Sequence, residues 1–181
     1  MSKSKTLKKN HKHNKQSKKK NGNKPITCIA HLTGPKVSGH VIFTEMPHLN
    51  KTKIEVNLSG LTEGLHGFHI HEAGNIENQC KGCCAHFNPY NKTHGGIDDK
   101  IRHVGDLGNV KADKNGVVSE VKYDKLIKLR GNKANIIGRS VVVHAGEDDL
   151  GRGDNEESLK TGNAGGREAC GVIGYMNAYY F

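Results

Sequence analysis

Residues 85–106, AHFNPYNKTHGGIDDKIRHVGD, carry His86, His94, His103 and Asp106 at separations of eight, nine and three. No helix or strand period puts all four on one face. If they act together, the segment must fold around something that gathers them. Three ring nitrogens and one carboxylate oxygen suit a closed, tetrahedral Zn(II) site. A second set lies on strand-like sequence. In LHGFHIHE, residues 65–72, His69 and His71 fall on one side, about 7 Å apart along the backbone, while Phe68 and Ile70 fall on the core side. His144 closes another apolar run after Val141-Val142-Val143. Three strand-borne imidazoles and one further nitrogen suit Cu(II), which favours tetragonal nitrogen coordination. The missing nitrogen could come from a histidine shared between the two sets.

These residues need rigid elements to hold them. The chain has 181 residues, 23 Gly, no Trp and few aromatics, which is poor material for a helical bundle and good material for short strands joined by turns. Alternating apolar patterns predict strands over 26–32, 40–46, 51–60, 65–72, 106–112, 117–123, 136–145 and 169–177. No repeat and no amphipathic helix stands out. Eight such strands predict an all-β sandwich or barrel. Two long irregular segments remain, 73–105 and 146–168. Loops of that length in a compact domain are usually functional or disordered; the first carries the opening motif, so both read as functional.

The charge is concentrated at one end. Residues 1–24 hold ten Lys and no Asp or Glu; removing them from the total of 28 Lys and Arg leaves 18 basic against 18 acidic residues. The expected organisation is a disordered Lys-rich tail, 1–24, followed by one neutral domain, 25–181. The tail has no apolar run and reads as no secretory signal, and no stretch is long and apolar enough to span a bilayer. The expected setting is therefore intracellular, chiefly cytoplasmic, with the tail serving as a nuclear address, as a contact for nucleic acid or another polyanion inside a particle, or as a solvated extension. Phosphate contacts through it would be steeply salt-dependent. His11 and His13 in the tail would hold metal only weakly. The sequons at Asn50, Asn57 and Asn91 read as chance matches in that setting.

The motifs GFHIHEAGN (67–75), HFNPYNKTHGGIDDKIRHVGDLGNV (86–110), VVVHAGEDDLGRG (141–153) and NEESLKTGNAGGREACGVIG (155–174) resemble the copper/zinc superoxide dismutase family, in order and over almost all of 25–181. The resemblance implies an all-β, eight-stranded Greek-key β-barrel (an immunoglobulin-like sandwich) in which His69, His71, His86 and His144 bind copper. It implies that His86 bridges to a zinc held also by His94, His103 and Asp106. Asp148 would hydrogen-bond His69 and His94, and Cys80 would pair with Cys170 in a disulfide that pins the first long loop to the last strand. Arg167 would sit beside the open copper position and pair with the superoxide anion, while Glu156, Glu157, Lys160 and Thr161 would shape the field above it. The implied reaction turns two superoxide ions into oxygen and hydrogen peroxide through Cu(II)/Cu(I) cycling, with His86 as the bridge that picks up a proton. A homodimer is implied as well.

Several positions depart from the family pattern. Cys83 and Cys84 stand just before the bridging histidine, where small residues or proline are usual; they read as structural thiols, or as a Cys80-x-x-Cys83 pair that captures Cu(I) or forms a competing disulfide. Ala73 replaces an aromatic of the family's dimer contact, and the C-terminal YMNAYYF differs too, so a rearranged interface is expected. Gly166 and Glu168 flank Arg167 where prolines accompany dependence on a copper chaperone, which suggests loading without one. Cys28 reads as a small buried hydrophobe, and His40 and His66 as ordinary surface or core histidines. The alternative function is copper binding or delivery on the same fold with little turnover; a third is a nucleic-acid-associated protein with a structural barrel.

Overall fold

The computed structural model describes residues 24–177. The expectation of a disordered tail falls almost wholly on residues outside that range, as does the end of YMNAYYF. Nine strands follow in order: β1 (Thr27–Thr33), β2 (Ser38–Met46), β3 (Lys51–Ser59), β4 (Gly64–His71), β5 (Asp106–Ala112), β6 (Val118–Asp124), β7 (Ser140–His144), β8 (Arg167–Val172) and the short β9 (Gly174–Tyr175). Eight of them form an antiparallel sheet in the order β5-β4-β7-β8-β1-β2-β3-β6, and β9 pairs with β1 off this path. The β3–β4 and β6–β7 connections cross between non-neighbouring strands, which makes the barrel a Greek key.

The sheet nearly closes on itself. Across the seam between β5 and β6, the Lys111 backbone N–H donates to Glu120 Oε1 at 2.7 Å and Lys122 Nζ donates to the Asn109 carbonyl at 2.6 Å. Inside, alternate residues bury Phe43, Phe68, Leu32, Ile54, Ile70 and Leu107 completely. In β3 the expected alternation is visible: Ile54, Val56 and Leu58 are buried and Glu55 and Asn57 are not. In β4 it is lost, because every residue from His66 to His71 is buried. Phe68 and Ile70 face the barrel interior, while His69 and His71 are covered from outside by the two long loops.

Most strand ends shift by a residue or two from the sequence pattern, and three departures are larger. The seventh strand begins at Ser140, not 136, because Ala134–Arg139 is a loop whose Ile136 still enters the core. The last run is divided, since Ile173 is buried between β8 and β9 and its N–H bonds to the Arg139 carbonyl. The second long segment contains a one-turn helix, α1 (Ser158–Thr161), too short to leave a periodic pattern.

Candidate metal centre

Two bulges aim the strand-borne groups. The β4–β5 ladder shifts between Gly67 and His69, which sets His69 opposite Asp106. The β7–β8 ladder shifts between Val143 and His144, which sets His144 opposite Arg167. Bulges turn side chains out of the regular pleat, and here both turn donors toward one place. The loop after β4 folds back so that His86 bridges to His71, and it then carries His94 and His103 over the β5 end.

Two groups of four result. Ligand atoms of His69, His71, His86 and His144 all lie within 4.8 Å of one another, as do those of His86, His94, His103 and Asp106; every one of these residues is buried. His86 belongs to both. In the second group, Asp106 Oδ1 is 3.0 Å from the Nδ1 of His86, of His94 and of His103. Four donors about 2.0 Å from one ion at tetrahedral angles stand roughly 3.3 Å apart, so these spacings fit a common ion.

Hydrogen bonds decide which nitrogen each ring offers. His71 Nδ1–H donates to the Cys84 carbonyl at 2.8 Å and His144 Nδ1–H to the Gly165 carbonyl at 3.2 Å, which leaves both Nε2 atoms free, 3.4 Å apart. His69 and His94 each donate Nε2–H to Asp148, at 2.8 Å to Oδ2 and Oδ1 respectively. That leaves His69 Nδ1 and His86 Nε2 buried without a hydrogen-bond partner, while His94 Nδ1 faces Asp106 Oδ1 at 3.0 Å without the geometry of a hydrogen bond. An orphaned buried nitrogen is costly unless something else occupies its lone pair. Two of them among the donors of these groups are what a metal site requires, with the far ring nitrogens fixed by carboxylate or carbonyl partners.

Electrostatics point the same way. Burial pushes His69 and His71 well below the usual imidazole range, and the nearby His86 adds to the push. Burial likewise lowers His86, against the pull of Asp106, and takes His144 down to about 4. These rings are neutral, as metal ligands must be. Burial would lower His94 too, but its contacts with Asp106 and Asp148 outweigh that and raise it to about 9. Burial would raise both carboxylates, yet hydrogen bonds hold them far below their usual range, from His103, His86 and His94 for Asp106 and from His69 and His94 for Asp148.

A mouth of about 830 Å³ opens onto the first group and is lined by His71, His144, Arg167, Glu157, Lys160 and Thr161. Arg167 donates one guanidinium N–H to the Cys80 carbonyl and another to the Cys84 carbonyl, the latter at 2.6 Å. Cys80 is disulfide-bonded to Cys170 on β8. The turn that anchors Arg167 is thus tied to the strand that carries it. Cys83 and Cys84 are free thiols, the first buried and the second exposed, and Cys28 is buried in the core.

Sequence reasoning missed three supports. Arg102 is buried, pairs with Asp124 at the end of β6, and donates Nη1–H to the Asp106 carbonyl at 2.9 Å and the His103 carbonyl at 3.1 Å. Asn109 donates to the Asp148 carbonyl and accepts from the Asp148 N–H, at 2.8 and 2.7 Å. Gly162 lies with positive φ against Asp148 and His94, where an added Cβ would sit 1.9 Å from Asp148 Oδ1. Only the glycine had a signal, its place among small residues in KTGNAGG. His66 fills the core reading: its ring nitrogens lie 2.8 Å from the His144 carbonyl and 2.9 Å from the Thr62 carbonyl.

Comparison with known proteins agrees with this geometry. The family model described as copper/zinc superoxide dismutase matches residues 37–173. A superoxide dismutase [Cu-Zn] of Paramecium bursaria Chlorella virus 1 is 59% identical over 156 residues, 86% of this chain and 81% of that protein. An extracellular superoxide dismutase [Cu-Zn] of Drosophila melanogaster is 51% identical over 84% of this chain and 87% of its own, and a superoxide dismutase [Cu-Zn] of Saccharomyces cerevisiae is 51% identical over 84% and 99%. A solved structure titled as the clock protein EA4 superposes with a TM-score of 0.80 at 44% identity, over 84% of this chain and 96% of that one. With a family model spanning every donor of both groups, and relatives matched over most of their length, the chain belongs to the copper/zinc superoxide dismutase family.

Proposed function

We propose that His69, His71, His86 and His144 hold the copper, that His86, His94, His103 and Asp106 hold the zinc, and that Arg167 receives the substrate. The protein disproportionates superoxide into oxygen and hydrogen peroxide, with copper and zinc as cofactors. The observation that carries the residue assignment is His86: its Nδ1 lies 3.0 Å from Asp106 while its buried Nε2 is unpaired on the side of the first group. One ring therefore serves two ions. The complete donor set speaks against the copper-delivery alternative.

A copper ion held by His69, His71, His86 and His144 would supply one-electron redox chemistry, and a zinc ion held by His86, His94, His103 and Asp106 would supply fixed positive charge. The chain's own residues do the rest. Arg167, opposite His144 and braced by two carbonyls, offers its remaining N–H groups at the mouth, where a small anion gains a charge-assisted hydrogen bond. Lys160 adds positive charge at the rim. His86 Nε2 is the buried atom placed to take up and give back a proton for the peroxide product. Asp148 holds His69 and His94 in the tautomers the two groups need.

Loading copper into both groups tests the shared ring. A bridging imidazolate couples the two spins, so the Cu(II) EPR signal falls far below that of two ions, and His86→Ala restores two independent signals. Independent signals from the unaltered protein would overturn the assignment.

The wider readings follow from the same chain. Residues 25–181 act as the enzyme domain and 1–24 as a separate basic arm for nucleic acid or another polyanion, in the cytoplasm or in a nucleic-acid-bearing compartment. Among the described residues no helix is long and apolar enough to cross a membrane. A homodimer is supported by the exposed Val172, Tyr175 and Met176, close to half-buried Ile29. Gly166 and Glu168 beside Arg167 support copper loading without a chaperone.

A further inference from the structure

Cys83 takes no part in the chemistry above, yet it is fully buried in one cluster with Cys80, Cys170 and Val142. The mature bond joins Cys80 to Cys170 across 90 residues of sequence. Cys83 stands three residues from Cys80, on a turn closed by its own N–H donating to the Cys80 carbonyl at 3.1 Å. Such a turn brings its end Cα atoms within about 7 Å, and disulfides bridge Cα atoms up to about 6.8 Å apart. Cys80 thus has two thiol partners within reach, one beside it in the chain and one on β8. Cys84 is exposed and lies outside this cluster.

Sequence separation orders these partners in time. Closing a short turn costs less chain entropy than closing a long loop, so in the reduced chain Cys80 meets Cys83 before β8 has docked. We propose that Cys83 is a thiol–disulfide exchange site through which the Cys80–Cys170 bond is made. A small-molecule disulfide such as glutathione disulfide first oxidises Cys80 and Cys83, forming the Cys80–Cys83 bond and releasing two small-molecule thiols. Docking of β8 then brings the Cys170 thiolate onto Cys80 Sγ. The Cys80–Cys170 bond forms as the Cys80–Cys83 bond breaks, and the electron pair leaves on Cys83, which takes the proton that Cys170 gave up. This second step uses no oxidant. Cys83 is left as a sealed, unreactive thiol beside the finished bond, the arrangement the structure shows.

The test uses the full-length protein, reduced, freed of reductant and exposed to glutathione disulfide, with alkylation at intervals and bonds assigned by peptide mass. The Cys80–Cys83 bond should rise first and decay as Cys80–Cys170 appears. Cys83→Ala should slow that appearance several-fold but reach the same final bond and the same superoxide turnover, and Cys84→Ala should keep the original rate. Direct appearance of Cys80–Cys170 with no earlier Cys80–Cys83 species overturns the proposal, and this reading needs no variant to fold. An unchanged rate in Cys83→Ala overturns it as well, and so does a Cys83–Cys170 intermediate in place of Cys80–Cys83.

Discussion

His94 and Asp148 are joined by a 2.8 Å hydrogen bond, Nε2–H to Oδ1, with both side chains sealed from solvent. The other oxygen of the same carboxylate accepts from His69. One residue therefore orients a donor in each group. Asp148→Asn keeps the shape but replaces one acceptor with an N–H donor. Zinc affinity should fall about 10–100-fold, as when an outer partner of a metal-bound histidine is lost. Competition with a chromophoric chelator measures it; an unchanged affinity would mean that the His94 ring is held by its packing alone.

Gly162 closes over that bond. It has φ near 66°, a left-handed conformation that favours glycine, and its missing Cβ would fall 1.9 Å from Asp148 Oδ1 and 2.5 Å from His94 Nε2. Gly162→Ala should therefore weaken zinc binding in the same direction as Asp148→Asn, although it adds only a methyl group. The same chelator competition, beside a melting curve, separates this effect from general destabilisation.

The raised His94 gives a pH signature. In the metal-free protein its value of about 9 lies above the ordinary 6.5, so the pairing with Asp106 and Asp148 stabilises the fold fully below pH 6.5. That stabilisation is lost as pH rises through 9. At neutral pH His94 is then protonated, and as the proposed zinc ligand it would have to release that proton on binding. Zinc uptake near pH 7 should therefore release about one proton from this ring, and apparent affinity should gain about tenfold per pH unit up to about 9. Calorimetry in buffers of different ionisation enthalpy counts the proton. No release near pH 7 would place the value far lower.

On the proposed assignment Arg167 meets the substrate and belongs to neither donor group, so Arg167→Gln should leave copper and zinc content intact. Its loss removes a fixed positive charge from the mouth. Superoxide consumption should fall about tenfold or more, within the range that focused charge contributes to association. The residual rate should also depend less on salt than that of the unaltered protein. A drop in metal content along with rate would assign Arg167 a structural role instead.

Arg102 and Asp124 form a buried ion pair. Arg102→Leu leaves Asp124 uncompensated and frees the carbonyls around His103 and Asp106. Breaking one side of a buried pair costs about 3–5 kcal/mol, which should appear in denaturant unfolding. The variant should also bind zinc more weakly, because the loop that presents His103 loses its clamp.

The legible parts of the chain were those governed by a short period or a local motif. Period two placed His69 and His71 on one side of a strand, and alternation located the eight barrel strands to within a few residues. It failed where tertiary contact overrides local pattern. The histidine face of β4 is buried because two distant loops cover it, and Ile173 breaks the last strand because it is claimed by the core beside Arg139. Arg102 and Asn109 have no local signature at all: each matters only through a partner brought near by the fold. The nitrogen that each histidine presents was equally hidden, since it depends on carbonyls of Cys84 and Gly165 and on a carboxylate far along the chain.

The seam between β5 and β6 has a consequence for crowding. An open sheet offers its outer strands as templates for a neighbour's backbone. Here the last two strands are fastened to each other through Lys111, Glu120, Lys122 and Asn109. Among the described strands, β5 and β6 thereby satisfy one edge carbonyl and one edge N–H within their own molecule. The two contacts leave less of the β5 and β6 backbone open to a neighbouring copy of the barrel.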